Sequence, residues 1–559
     1  MISHLLLFLL LFTAVLSQCP NTTKLPCTCS TTRYEPVSIV CDNAGSLAVA
    51  LMGIGNPNVI IDSLVITNTP IIQLPAFAFQ GLSIRRLVFR NNDLQLIHAQ
   101  AFSGQLPETL TELELRNNHL GQVPPVGLSL LRNLRSLSLA KNGISSLADG
   151  AFATYQSAAT LRKLDLSGNR LDNISAEAFL GLASLQEISL DKNFLTSIPT
   201  QALLPLTSLE DLSLGVNQLQ EIPLNSLQFP NLKSLSLEVN SISYIAPEAF
   251  QGTPNLLYLY LSANKFNLVD AEMFQFVPLL KVLAMGNNDI LNLTQDAFRF
   301  IPQLVRLELS ECQISTIDPG TFQTIQNVQV IVLNKNRLRV IPRNQFQGLT
   351  QLVSLDLKGN DLSTIEDRAF SGLPSLKHLD ISDNMIQTLS RETFVGTFQT
   401  QNPPSTRVLY IYENPWFCDG RLDWFRKWLR DNMDVMVDAP GYPPSVCQKP
   451  QSLFNWPMRS PNPPVIGPVK EETTPPSAPV VKKTTALNIN QQPYQEGDSN
   501  IRTTGIAGVN LAAVILGIIL GVLLLSVLLL MVVRYFVSKN RRDRKEEDEE
   551  ARRLGFGMI

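Results

Sequence analysis

Histidine is nearly missing from this chain. Its 559 residues hold four, at His4, His98, His119 and His378, with no cluster among them. A histidine-rich zinc centre or a Ser-His-Asp relay has almost no raw material here. A net charge is missing too. Lys plus Arg number 45 and Asp plus Glu 48, a net charge of −3, so no overall basic field stands ready to hold nucleic acid. Charged residues make up only 17%, below the usual quarter or so, which means that something uncharged dilutes the average. The sequence also lacks a Gly-rich phosphate loop, metal-ligand spacing and any nucleophile–base–acid set. No enzymatic activity, metal or cofactor is therefore expected.

Part of the dilution comes from two apolar segments. Leu5–Val15 is followed by the compact Val15-Leu16-Ser17, which reads as a secretory signal over residues 1–17 cut before Gln18. No charge occurs between Arg502 and Arg534, and residues 506–533 are almost wholly apolar. About 20 residues suffice to cross a bilayer, so this stretch is expected to be a transmembrane helix. Arg534, Lys539, Arg541, Arg542, Arg544 and Lys545 follow it at once, which places 534–559 in the cytoplasm and the rest outside. The expectation is a single-pass type I protein of the plasma membrane, its short tail without room for a kinase. The apolar end at Ile559 is a weak PDZ-type ligand, since Gly557 sits where such ligands usually carry a side chain.

The rest of the dilution is a repeat. Leu161-Arg-Lys-Leu164-Asp-Leu166-Ser-Gly-Asn169-Arg-Leu171 recurs at Leu185, Leu209, Leu232, Leu256, Leu352 and Leu376. From Asn264 to Asn384 the Asn position returns every 24 residues, with Cys312 as a substitute. Ten residues after nearly every Asn position comes Phe, as at Phe79, Phe102, Phe152, Phe179, Phe250, Phe274, Phe298, Phe322, Phe346, Phe370 and Phe394. In Leu-x-Leu the period is 2, so each repeat gives one short strand with the two Leu inward and the x residues outward. No repeat buries its face alone; stacking makes one core.

This pattern resembles the extracellular leucine-rich-repeat family, in its repeat-only subfamily with cysteine-capped ends. The resemblance implies an α/β solenoid: a curved parallel sheet on the concave face, an irregular convex side, an Asn ladder and a Phe spine. About 14 repeats fill residues 60–413. Residues 18–59 hold Cys19, Cys27, Cys29 and Cys41, a disulfide framework with three possible connectivities. The family's N-terminal cap implies Cys19–Cys29 and Cys27–Cys41. Residues 414–447, with the amphipathic run Leu422-Asp-Trp-Phe-Arg-Lys-Trp-Leu429, are similar to its C-terminal cap. That cap's usual second Cys is Gly420 here, so the resemblance leaves one bridge, Cys418–Cys447. Cys312, in the Asn position, is expected to be a buried free thiol; an intermolecular disulfide is the alternative reading.

From Gln448 to Gly505 prolines lie among Ser, Thr and Lys, a composition expected of a disordered stalk. Sequons at Asn21, Asn173 and Asn292 are expected glycan sites in a secreted chain. A binding surface is sought among the outward x residues. Arg86, Arg90, Glu112, Glu114 and Arg116 come first; then Ser136, Ser138, Ser213, Ser234 and Ser236, with the acidic Asp165, Glu187, Asp191, Asp211 and Glu238. Tyr258, Tyr260, Val282, Ala284, Arg306, Val330 and Val332 follow. Exposed Tyr and Val on adjacent strands form an expected apolar partner patch; β propensity alone is the plainer explanation. The function expected is recognition of an extracellular protein or matrix component, without catalysis, in cell–cell or cell–matrix adhesion, homophilic binding included. A ligand-binding co-receptor is the alternative.

Overall fold

The computed structural model describes residues 19–460, apart from 33, 56–57, 399–406 and 439–440. The expected signal segment 1–17, the expected transmembrane segment 506–533, the expected tail and most of the expected stalk lie outside them. Among the described residues no helix is long and apolar enough to cross a membrane.

One sheet of eighteen strands runs the length of the solenoid. Cys27–Ser30 pairs antiparallel with Ser38–Asp42, and every later pairing in that sheet is parallel. The register is that of the repeat: Leu164, Ile188, Leu212, Leu235, Leu259, Leu283 and Leu307 oppose one another in turn. All seven are buried, as are the second Leu of each pair, such as Leu166, Leu214 and Leu237. Each full burial stabilises by about 1.5–3 kcal/mol.

The turn after each strand follows from two residues. The one before the Asn position takes a left-handed conformation, as at Asn91 (φ 60°), Lys141 (φ 54°) and Asp383 (φ 53°). The Asn itself is then aimed inward. Asn264 Oδ1 accepts from Ile242 N–H (2.9 Å), and its Nδ2 donates to Leu237 and Leu261 carbonyls (3.0 Å each). One side chain thus ties two rungs and satisfies backbone groups that no strand reaches. On the convex side the Phe rings stack with centroids 5.6–6.3 Å apart from Phe298 to Phe394.

A second, broken ladder runs along one flank. Among the described residues its two-residue strands pair as Gln73–Leu74 with Leu96–Ile97, Ser146–Leu147 with Asn173–Ile174, Glu221–Ile222 with Tyr244–Ile245, Asn292–Leu293 with Thr316–Ile317, and Val340–Ile341 with Thr364–Ile365. Each pairing is closed by the N–H six residues after the Asn position, as when Asp318 N–H reaches Leu293 O (2.9 Å) and Glu366 N–H reaches Ile341 O (3.0 Å). Pro124, Pro199, Pro223 and Pro342 occupy that place in other repeats. Proline has no N–H to give, and the ladder stops before each of them.

The ends are closed by caps. The disulfides are Cys19–Cys29, Cys27–Cys41 and Cys418–Cys447. At the C-terminal end the Phe spine continues into the helix Asp423–Asp431, where Phe425 and Trp428 lie 5.8 and 5.5 Å from Phe394. The cap runs past the expected boundary at Cys447. Residues 448–460 belong to this cap: Cys418 N–H donates to Lys449 O (2.7 Å), and Leu453 and Met458 are buried. The prolines there suggested a stalk, but Leu453, Trp456 and Met458 supply apolar surface that the cap buries.

Candidate ligand-binding face

The concave face carries three outward columns: two positions of each strand and the residue two before the Asn. Its character changes along the arc. At the N-terminal end the charges are paired with one another. Arg86 meets Glu35 (3.4 Å), Glu112 (3.3 Å) and Glu114 (3.9 Å), and Arg90 meets Glu114 (2.7 Å). Arg86, Arg90, Glu112 and Glu114, with Arg116, Ser136, Ser138, Lys163 and Asp165, line a hollow of about 560 Å³.

Further along, carboxylates are served by hydroxyls. Ser138 Oγ donates to Asp165 (2.8 Å); Ser213 Oγ and Gly215 N–H both donate to Asp191 at 2.6 Å. Lys163–Glu187 (2.6 Å) and Arg306–Glu308 (3.0 Å) are ion pairs on this stretch. Asp211 and Glu238 hold their protons above the ordinary carboxylate range, chiefly because burial disfavours the charged form, with Ser234 and Ser262 hydroxyls opposing the shift. The Tyr260 phenol is raised for the same reason and by the nearby Glu238. Asp211, Glu238, Tyr260 and Arg306 thus form one electrostatic neighbourhood.

The expected apolar patch is altered by the structure. Tyr258 and Tyr260 are half-buried, and Val330 and Val332 likewise. Val282 and Ala284, expected to be exposed, are each only 6% exposed. Their strand lies between Tyr258–Tyr260 and Arg306–Glu308, whose longer side chains stand above them. The surface is therefore a shallow trough walled by Tyr on one side and an ion pair on the other.

Two further residues join it. Val216 and Val239 hold the left-handed position before the Asn, with φ of 53° and 54°, and are 39% and 49% exposed. A β-branched residue there is strained by about 1–2 kcal/mol, and strain of this kind gathers where a surface has work to do. The signal stood in the sequence: other repeats place Asn, Lys, Gly, Ala, Glu or Asp in that column. At the C-terminal end Tyr410, Tyr412 and Tyr442 cluster with centroids 5.4–5.9 Å apart, and Lys358 Nζ donates to Tyr412 Oη (3.0 Å). Tyr410 follows the repeat register, whereas Tyr442 arrives from a cap loop that no repeat announces.

The remaining singled-out residues lie elsewhere. Asn21, Asn173 and Asn292 are exposed, the last two on the flank ladder. Cys312 is a buried free thiol whose Sγ donates to Met285 O (3.1 Å); burial pushes its pKa up to about 11. Among the described residues no group of three or more His, Cys, Asp or Glu is placed to hold a metal ion.

With this geometry in view, the chain's relatives agree on its class. A leucine-rich-repeat family profile matches residues 159–219, 230–290, 302–362 and 353–399, and the profile of the BspA type leucine-rich-repeat region matches 58–162. The solenoid is a leucine-rich-repeat fold with disulfides at its N-terminal end. Mouse Toll-like receptor 9 is 37% identical over 106 residues, 19% of this chain and 10% of that protein. Mouse Podocan-like protein 1 is 35% identical over 161 residues, 28% of each. The chain therefore spans well under a third of either relative. Among solved structures, TLR13 in a complex with ssRNA13 shares the fold at a TM-score of 0.57 and 23% identity, covering 72% of this chain and 60% of that one.

Proposed function

We propose that this protein is a cell-surface recognition protein that grips an extracellular protein or matrix partner on its concave face, in cell–cell or cell–matrix contact. The proposal includes a type I arrangement: signal 1–17, solenoid outside, stalk from about residue 461, membrane helix 506–533 and cytoplasmic tail. The observation that carries it is the trough around Tyr258 and Tyr260, where hydroxyl-served carboxylates and strained, exposed Val216 and Val239 meet. Tyr is a favoured interface anchor, and the strands beneath hold it rigidly. A nucleic-acid partner is disfavoured because Asp165, Asp191, Asp211 and Glu238 would repel phosphate. The partner's contacting surface is accordingly basic, with apolar groups for the Tyr and Val.

The similarity to Toll-like receptor 9 favours a second reading, a ligand-binding co-receptor that signals through another membrane protein. Both readings share the face and one experiment. The secreted ectodomain, residues 18–500, serves as bait against arrayed extracellular proteins, after light scattering has established whether it binds itself. Tyr258→Ala with Tyr260→Ala abolishes capture while secretion stays normal. Full capture by the double variant overturns this face.

A further inference from the structure

The flank ladder carries two sequons in one register position with opposite surroundings. Asn173 and Asn292 both stand four residues after an Asn position, outward on the flank, and both are exposed, as is Thr294 of the second sequon. The column beside Asn173 is polar: Ser146, Ser197 and Glu221, all exposed. The column around Asn292 is apolar. Tyr244 is 52% exposed, Leu268 50%, Leu291 (one residue earlier in its repeat) 53% and Val340 42%. Asn292 is the strand partner of Thr316, and Thr316 borders a slot of about 320 Å³ floored by Ile317, Leu338, Ile341 and Pro342. That slot opens where Pro342 interrupts the ladder.

A row of exposed apolar side chains is a liability on a protein that meets others outside the cell. An N-glycan is bulky and solubilising, and its sugar rings carry C–H faces that lie against apolar groups. Neighbouring strands are about 4.8 Å apart, so the first sugars on Asn292 fall within reach of Leu268, Leu291 and the Thr316 slot. We propose that the glycan on Asn292 is a structural shield for the apolar flank between Tyr244 and Val340, whereas the glycan on Asn173 covers nothing that needs covering. This rests on the secretory reading above.

The test is hydroxyl-radical footprinting of the full-length chain from a eukaryotic secretory host, with glycopeptide mass spectrometry at both sites. Asn292→Gln and Thr294→Ala each raise labelling of Tyr244, Leu268, Leu291 and Val340 roughly twofold or more, as uncovered side chains should. Thr294→Ser, which keeps the sequon, and Asn173→Gln leave that labelling unchanged. If neither Asn carries sugar, the secretory reading fails and the shield with it. If Asn173 is glycosylated and Asn292 bare, the shield alone is overturned. Unchanged labelling on loss of an occupied Asn292 glycan also overturns it. So does protection that depends on protein concentration and survives Asn292→Gln, which assigns the flank to a second copy.

Discussion

The two ends of the concave face treat charge in opposite ways. On the strands between Arg86 and Arg116 both outward carboxylates, Glu112 and Glu114, have an arginine from this same chain, so their charge is already neutralised. Between Asp165 and Glu238 most carboxylates have serines, which orient a charge without cancelling it. An internally paired surface has little electrostatic free energy left for a partner, whereas a hydroxyl-served one keeps its field. Position along the arc, more than total charge, thus decides where recognition is built.

Charge reversal breaks this comparison most sharply. Asp211→Lys with Glu238→Lys should cut capture of the partner on the order of 100-fold, because like charges then face each other across the interface. Glu112→Lys should leave capture nearly unchanged; an equal loss in both variants would erase the distinction. Next in size is relief of strain. Val216→Gly with Val239→Gly should stabilise the fold by about 1–2 kcal/mol in total, read as a higher Tm, yet weaken binding about tenfold. Stabilisation without loss of binding would remove both valines from the footprint.

Acidification separates the regions by sign. Asp211 and Glu238 stand above their ordinary 3.8 and 4.5, as Asp356 and Asp380 stand above 3.8. The folded protein holds these protons more tightly than the unfolded chain does. Their contribution to stability is therefore present below the ordinary values and lost as pH rises through the raised ones. Binding runs the other way, since acid discharges the face: capture should fall as pH is lowered through the raised values. Asp434, held below 3.8 by Arg407, has the opposite effect on stability, which is lost as pH falls through its lowered value. Paired measurements of Tm and capture against pH check both signs. The smallest effect is at the paired end, where Glu114→Gln should cost about 0–1 kcal/mol and vanish in high salt.

Much of the fold was legible because repetition multiplies weak signals. One Leu-x-Leu is ambiguous, but a column of them in register with Asn and Phe fixes strand, turn and spine together. The binding face was half legible. Tyr258 and Tyr260 followed from the register, but the sinking of Val282 and Ala284 depends on the height of neighbours a full repeat away. Tyr442 and the closure of the cap by Leu453 and Met458 lie outside the repeat, where spacing carries no information. Val216 and Val239 were visible as letters, but their strain becomes apparent only once φ is known.

The prolines of the flank also bear on mechanics. The main sheet is continuous, like an unbroken hinge-leaf, while the flank is fastened in separate pairs, and Pro124, Pro199, Pro223 and Pro342 stand at four of the gaps between them. Bending stiffness is then uneven: rungs joined on both sides move as blocks, and changes of curvature are taken up at the gaps. Asp191 and Asp211 sit in the repeats on either side of the gap at Pro223, whereas Asp211 and Glu238 ride on one fastened pair, so closing around a partner would alter the spacing of the first two before it disturbed any rung.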